Sequence, residues 1–218
     1  MGNHLIAPSI LSADFSDLKS DILMVNKSKA DWFHIDIMDG VFVPNISFGM
    51  PILKAINKYA KKTLDVHLMI IKPEKYIKNF VELGADIITI HYEACKENLH
   101  EVIEIVKRNE IKVGVAINPD TPVSVLNNYI SYIDVVCLMG VFPGFSGQKF
   151  IDSTYDRCNE LKKLINNKNK SCLIEIDGGV SDKNAKKLIE YGANVLVAGS
   201  YVFKSTKPEE TIKNLKMI

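Results

Sequence analysis

A closed (β/α)8 barrel is the architecture this sequence predicts, on three observations. Eight short apolar runs alternate with longer amphipathic stretches across 218 residues. A helix-to-strand joint recurs: Leu83-Gly-Ala-Asp-Ile-Ile-Thr-Ile90 and Tyr191-Gly-Ala-Asn-Val-Leu-Val-Ala198 share a helix-end glycine, a tight turn and a β-branched strand, and Lys29-Ala-Asp-Trp-Phe33 is a weaker copy. Histidines and aspartates, costly to bury without a partner, close three of the apolar runs. Repeated joints of this kind imply β/α units and a parallel sheet. A doubly wound open sheet is the competitor. Eight regular units without a G-x-G-x-x-G fingerprint favour the barrel, the TIM-barrel architecture, whose active site lies at the carboxyl ends of the strands.

The strands are expected at about 5–9, 31–37, 63–68, 86–90, 111–117, 134–139, 172–176 and 194–198. Helical patterns lie between them. In Pro73-Glu-Lys-Tyr-Ile-Lys-Asn-Phe-Val-Glu-Leu83 the apolar residues at 76, 77, 80, 81 and 83 form one helical stripe. Pro73 suits the first turn of such a helix, and Gly84 the left-handed position beyond its end. No linker, low-complexity tract or second domain interrupts the chain, so residues 1–218 are expected to form one domain.

Composition narrows the function. A hydrophobic content of 47% supports a full core, and a net charge of +1 argues against a nucleic-acid binder. Of 27 basic residues only Arg108 and Arg157 are arginines, and the scattered lysines read as solvated helix faces. The four cysteines lack C-x-x-C spacing, and Cys137 and Cys172 lie in apolar runs as small core residues. Met1-Gly-Asn-His-Leu5 leads directly into a strand-like segment rather than a signal peptide. No apolar run approaches the ~20 residues that span a bilayer. A reduced, cytoplasmic location with no membrane partner is the expectation.

The chemistry concentrates in Asp31-Trp-Phe-His-Ile-Asp-Ile-Met-Asp-Gly40. Residues two apart share a strand face, so His34, Asp36 and Met38 point together into an apolar interior. Asp65-Val-His-Leu-Met69 ends a second run with His67, and Ile174-Glu-Ile-Asp-Gly-Gly179 ends a third with Asp177. In a barrel His34, Asp36, His67 and Asp177 all face the mouth. Imidazole with carboxylate suits one zinc, iron, manganese or cobalt ion and disfavours calcium or magnesium. Any one of the four alone would read as a satisfied core group; together they read as a metal site.

Glycine-rich turns follow the last three strands: Pro143-Gly-Phe-Ser-Gly-Gln148, Asp177-Gly-Gly179 and Ala198-Gly-Ser-Tyr201. Glycine lets backbone N–H groups approach an anion, and barrels commonly hold phosphate with the loops after strands seven and eight. Each turn alone could be only a tight strand-to-helix connection; three adjacent ones point to a phosphate grip. Met38, Met69 and Met139 lie at strand ends. They pack the core or line the cavity above the metal.

Ala7-Pro-Ser-Ile-Leu-Ser-Ala-Asp-Phe15, residues 34–49, Asp65-Val-His-Leu-Met69, Pro143-Gly-Phe-Ser-Gly-Gln-Lys-Phe150 and Ile176-Asp-Gly-Gly-Val180 together resemble the ribulose-phosphate 3-epimerase family, in order, from Ala7 to about Phe203. The resemblance implies a metal-dependent isomerase of the pentose phosphate pathway that interconverts D-ribulose 5-phosphate and D-xylulose 5-phosphate, assembled as a homo-oligomer. It implies one divalent metal per subunit, zinc first, on His34, Asp36, His67 and Asp177, with Asp36 and Asp177 as proton acceptor and donor. Ser9, His67, Gly144, Phe145, Ser146, Gly147, Gly178, Gly179, Gly199 and Ser200 correspond to substrate contacts, the glycine loops and Ser200 at the phosphate end. The chain departs from the family pattern at Gly140, usually Ser or Thr, and at Phe142, usually a polar residue, both near the sixth strand's end.

This assignment agrees with what epimerisation demands. A carbon beside a ketone must lose a proton on one face and regain one on the other, through an enediolate that needs a Lewis acid and a carboxylate on each side. Rivals remain. Epimerisation of allulose 6-phosphate, one carbon longer, depends on the loops near 140–148. Phosphate-binding-barrel lyases favour D-x-K-x-x-D with a catalytic lysine, which His34-Ile-Asp-Ile-Met-Asp39 lacks. The ligand set alone also permits a metal hydrolase, and a non-catalytic binding role is the least favoured.

Overall fold

Eight parallel strands run around the barrel: β1 (Leu5–Pro8), β2 (Trp32–Met38), β3 (Thr63–Met69), β4 (Ile87–His91), β5 (Lys112–Ile117), β6 (Val135–Met139), β7 (Leu173–Asp177) and β8 (Val195–Ala198). The sheet order is β1-β8-β7-β6-β5-β4-β3-β2, and a parallel bridge from Ser9 to His34 brings β1 against β2. Every strand lies within one residue of its expected limits. The structure, a computed structural model, describes residues 3–169 and 171–218. The reading of the amino terminus as leaderless rests partly on Met1 and Gly2, which lie outside the described residues. No helix among the described residues is long and apolar enough to cross a membrane.

The recurring joint has a physical role. Asp31, Asp86, Asp134 and Asn194 precede β2, β4, β6 and β8 respectively. Each donates its backbone N–H to a carbonyl of the preceding strand and accepts that same residue's N–H on its side chain. The partners are Ile6, Leu64, Val113 and Ile174, at 2.7–3.0 Å. The barrel is therefore four similar pairs of strands, and the third joint, at Asp134, lacks the Gly-Ala signature that marks two of the others.

The helices are α1 (Leu18–Lys27), α2 (Met50–Asn57), α3 (Ile77–Glu82), α4 (Leu99–Arg108), α5 (Thr154–Lys168), α6 (Asp182–Tyr191), α7 (Ser200–Phe203) and α8 (Pro208–Lys216). Their buried faces meet the outward strand residues in the main core, which includes Ile22, Leu53, Phe80, Val102, Leu161 and Leu188. Ala7, Trp32, Ile87, Val135, Val195 and Val197 form a separate apolar cluster from the inward strand positions. Cys137 and Cys172 are buried as expected, and so are Cys95 and Cys158.

Two expectations need correction. The single helix expected over 73–83 is divided. Lys72 enters left-handed at φ 51°, and the Tyr76 N–H bonds back to Pro73 at 2.9 Å, closing a 3-10 turn over Pro73–Lys75 before α3 begins. A bond spanning three residues winds the chain more tightly than an α-turn, so the stripe shifts and Tyr76 stays exposed. Gly84 does close α3 at φ 94°. The second correction concerns the connection from β5 to β6, which carries two 3-10 turns, Val123–Leu126 and Ile130–Tyr132, in place of an α-helix. Pro119 and Pro122 deny it amide donors at its start.

Candidate active site

Strand register determines which side chains meet. Parallel pairing sets Asp36 level with His67 and Met38 level with Met69 across β2 and β3, and Met139 level with Asp177 across β6 and β7. One ligand atom from each of His34, Asp36, His67 and Asp177 lies within 4.8 Å of all the others. His34 Nε2 is 3.3 Å from Asp36 Oδ1 and 3.6 Å from Asp177 Oδ2. His67 Nδ1 is 3.3 Å from Asp36 Oδ1 and 3.5 Å from Asp177 Oδ2, and the two ring nitrogens are 3.3 Å apart. Four ligands at about 2.0–2.1 Å from one tetrahedral ion stand about 3.3–3.4 Å from each other, so the spacing fits a divalent metal.

Electrostatics point the same way. Burial opposes charge on His34, but Asp36, Asp65 and Asp177 raise its pKa well above the usual imidazole range. Burial likewise opposes charge on His67, and hydrogen bonds to Asp177 and Asp36 reverse this to about 9. Burial pushes the Asp36 carboxyl up, yet the charge and hydrogen bonds of His34, reinforced by His67, hold it far below the carboxylate range. Asp177 is lowered by the same two imidazoles against the same burial. Two imidazolium protons thus balance two carboxylates. A divalent ion held by these four residues would replace those two protons without altering the cluster's net charge.

Beneath these four lies a layer that sequence reasoning missed. His34 Nδ1, on the ring's far side, is 2.6 Å from Asp65 Oδ2 and 3.0 Å from Glu175 Oε1. The Thr89 hydroxyl donates to Asp65 Oδ1 at 3.3 Å. Burial, helped by the neighbouring Asp65 charge, pushes Glu175 to about 8. His67 Nε2 is 2.9 Å from His91 Nε2, and His91 Nδ1 is 3.1 Å from Glu93 Oε2. Burial holds His91 to about 4 despite its Glu93 partner. The signal was available: Asp65, Thr89, His91 and Glu175 each stand two residues from another inward position, and period-two counting reaches them.

Above the cluster opens a pocket floored by Asp36 and Asp177. Met38, Met69 and Met139 line it, together with Ser9, Gly144, Phe145, Ser146, Gly147, Gly178, Gly179, Gly199 and Ser200. Every residue proposed for the substrate from sequence is in this wall except His67, which is wholly buried below it. The Ser9 hydroxyl donates to Asp36 Oδ2 at 2.6 Å, so it orients that carboxylate as well as facing the pocket. The loop after β6 is pinned from two sides. Asn45 Nδ2 donates to the Gly144 carbonyl at 2.7 Å, and Gln148 Nε2 donates to the carbonyls of Phe142 and Phe145 at 2.7 and 2.9 Å.

The structure gives Gly140 a packing reason. Its N–H donates to the Asp177 carbonyl at 2.6 Å, and a Cβ there would collide with the Gly178 carbonyl and press on the Phe150 ring at 3.1 Å. Phe142 is half-exposed and lines the pocket wall.

The sequence model of the Ribulose-phosphate 3 epimerase family matches residues 5–203. A Bacillus subtilis (strain 168) relative named ribulose-phosphate 3-epimerase is 47% identical over 212 residues, covering 97% of this chain and 97% of its own. The chloroplastic ribulose-5-phosphate-3-epimerase of Arabidopsis thaliana is 42% identical over 213 residues, 97% of this chain and 76% of that protein. Among solved structures, KGPDC from Streptococcus mutans superposes with a TM-score of 0.73 at 13% identity, over 98% of this chain and 96% of that one. Orotidine 5'-monophosphate decarboxylase from Methanocaldococcus jannaschii, complexed with the inhibitor BMP, superposes at 0.69 and 16% identity, over 98% and 97%. At such identities the likeness is one of fold.

Proposed function

The chain belongs to the ribulose-phosphate 3-epimerase family, and from that premise we propose that it interconverts D-ribulose 5-phosphate and D-xylulose 5-phosphate with the help of one divalent ion. It is an epimerase, of the isomerase class. The observation that carries the reading is the convergence of His34, Asp36, His67 and Asp177 on one point beneath a pocket walled by glycine-rich loops.

When bound, the ion supplies the positive charge that stabilises the enediolate oxygens. The remaining work falls to the chain. Asp36 on β2 and Asp177 on β7 reach the pocket floor from different strands, so each can serve one face of a planar intermediate. One carboxylate removes the proton from the carbon beside the ketone, and the other, protonated, returns one to the opposite face. Ser9 holds Asp36 in place for this transfer. Because the two aspartates share the same imidazoles, their titrations are coupled and the pH profile reports the set. Backbone amides of 144–147, 178–179 and 199–200 hold the phosphate, and the three methionines keep the reacting end dry and polarizable.

The same reading takes zinc as the first candidate, with iron, manganese and cobalt as alternatives that suit mixed imidazole and carboxylate ligands. It takes residues 1–218 as one domain of a cytoplasmic homo-oligomer in the pentose phosphate pathway.

The test is proton exchange followed by NMR in D₂O with ribulose 5-phosphate. Xylulose 5-phosphate carrying deuterium at C3 is expected, lost on chelation and restored by zinc, manganese or iron(II). Asp36→Asn and Asp177→Asn are each expected to abolish turnover with the circular dichroism of the wild type. Substantial activity in either variant refutes the two-aspartate transfer, activity that survives complete chelation refutes the metal, and exchange only with allulose 6-phosphate reassigns the substrate.

A further inference from the structure

We infer that His91 and Glu93 are positioning residues that set the tautomer of His67 and so prepare it to ligate a metal. The inference rests on the reading that the four-residue cluster holds a divalent ion.

His67 presents Nδ1 to Asp36 and Asp177, which leaves Nε2 pointing the opposite way, 2.9 Å from Nε2 of His91. Two ring nitrogens at that separation share a single proton, so one must donate and the other accept. Glu93 decides which. Its carboxylate lies 3.1 Å from His91 Nδ1 and accepts, which places a proton on that nitrogen. His91 Nε2 is then bare and His67 Nε2 carries the shared proton, so the proton that an incoming ion would displace is the one on His67 Nδ1, leaving that lone pair for the ion between the carboxylates. That is the tautomer a ligand needs.

Glu93 is itself fixed in place. Its other oxygen accepts the Asn118 N–H at 2.8 Å and the Thr121 hydroxyl at 2.5 Å. The loop carrying Asn118 and Thr121 is clamped in turn by Arg157 of α5, which donates to both of their carbonyls and to that of Met139. The orienting charge therefore reaches His67 through an imidazole, whereas His34 meets the Asp65 carboxylate directly. The competing view makes His91 a filler, stacked against His67 and packed on Phe42 at 4.8 Å.

Substitution by a ring of similar size separates the two views. In His91→Phe the volume stays and the acceptor goes; in His91→Gln an amide oxygen can stand where Nε2 stood. Metal-stripped, full-length protein is titrated with zinc against a chromophoric chelator, and the cobalt(II) visible spectrum is recorded alongside. His91→Phe is expected to weaken zinc binding about 10- to 100-fold and alter the cobalt spectrum, with His91→Gln retaining most of the affinity. Should His91→Phe fail to fold, Glu93→Gln is the second variant, expected to weaken zinc binding because its amide can donate to His91 and reverse the relay. Wild-type affinity in His91→Phe or Glu93→Gln overturns the inference, as does a loss in His91→Gln equal to that in His91→Phe. A wild-type protein that binds no ion overturns both this and the metal reading, and the two failures are told apart by the wild-type titration alone.

Discussion

Gly114→Ala is a change of one methyl group that should be felt in the polar layer beneath the four candidate ligands. Gly114 pairs with Thr89 across β4 and β5, and the missing side chain is the space that Thr89 occupies. An added Cβ would collide with Thr89 Oγ1 and lie 2.9 Å from Thr89 Cβ and 3.1 Å from Thr89 Cα. Both residues are on rigid strands inside the barrel, so Thr89 must rotate away from Asp65. Overpacking of this kind costs about 1–3 kcal/mol, and the lost Thr89–Asp65 hydrogen bond adds about 0.5–1.5 kcal/mol. For a chain of this size the combined cost of about 1.5–4.5 kcal/mol lowers the melting temperature by roughly 3–18 °C. Urea and thermal melts of metal-free protein measure it. In the double variant Thr89→Gly with Gly114→Ala the colliding atoms are gone, so a favourable coupling of about 1–3 kcal/mol is expected. Additive losses, or a Gly114→Ala protein that melts with the wild type, would refute the argument from space.

Two further outcomes follow from the barrel itself. Asp86→Ala leaves the Leu64 N–H without its side-chain acceptor and is expected to cost about 1–3 kcal/mol, whereas Asp86→Asn should cost far less, since Asn194 fills the equivalent place; equal losses in a urea melt would argue against the shared role. Cys158 tests alkaline stability: burial raises its thiol from 9.0 to about 12, against a small opposing effect of Lys162. Between those values the folded chain keeps a proton that the unfolded chain has released, so stability present below pH 9 is lost as pH rises toward 12. Cys158→Ala should remove roughly 1.4 kcal/mol per pH unit from that decline, and an unchanged slope would show that the thiol is not shielded.

Much of the architecture was legible because it depends on local pattern. A period of two, β-branched composition and glycine at helix ends are properties of short segments, and they located all eight strands. They were less informative where local hydrogen bonding chose between similar turns, as at Tyr76 and in the connection from β5 to β6. The site divided in the same manner. His34, Asp36, His67 and Asp177 stood out as polar residues ending apolar runs. Asp65 and Glu175 stood inside those runs and His91 just past the end of one, and nothing in sequence distance relates His91 to His67.

By itself, then, the sequence determined the repeating unit, the four candidate ligands and the glycine loops, because alternation along a strand dictates which side chains share a face. Only the tertiary structure decided that His34 presents Nε2 and His67 presents Nδ1 to the two aspartates, that Thr89 owes its place to Gly114, and that Glu93 reaches the cluster through His91. Those relations depend on how neighbouring strands are staggered around a closed barrel, a quantity set by the packing of all eight together.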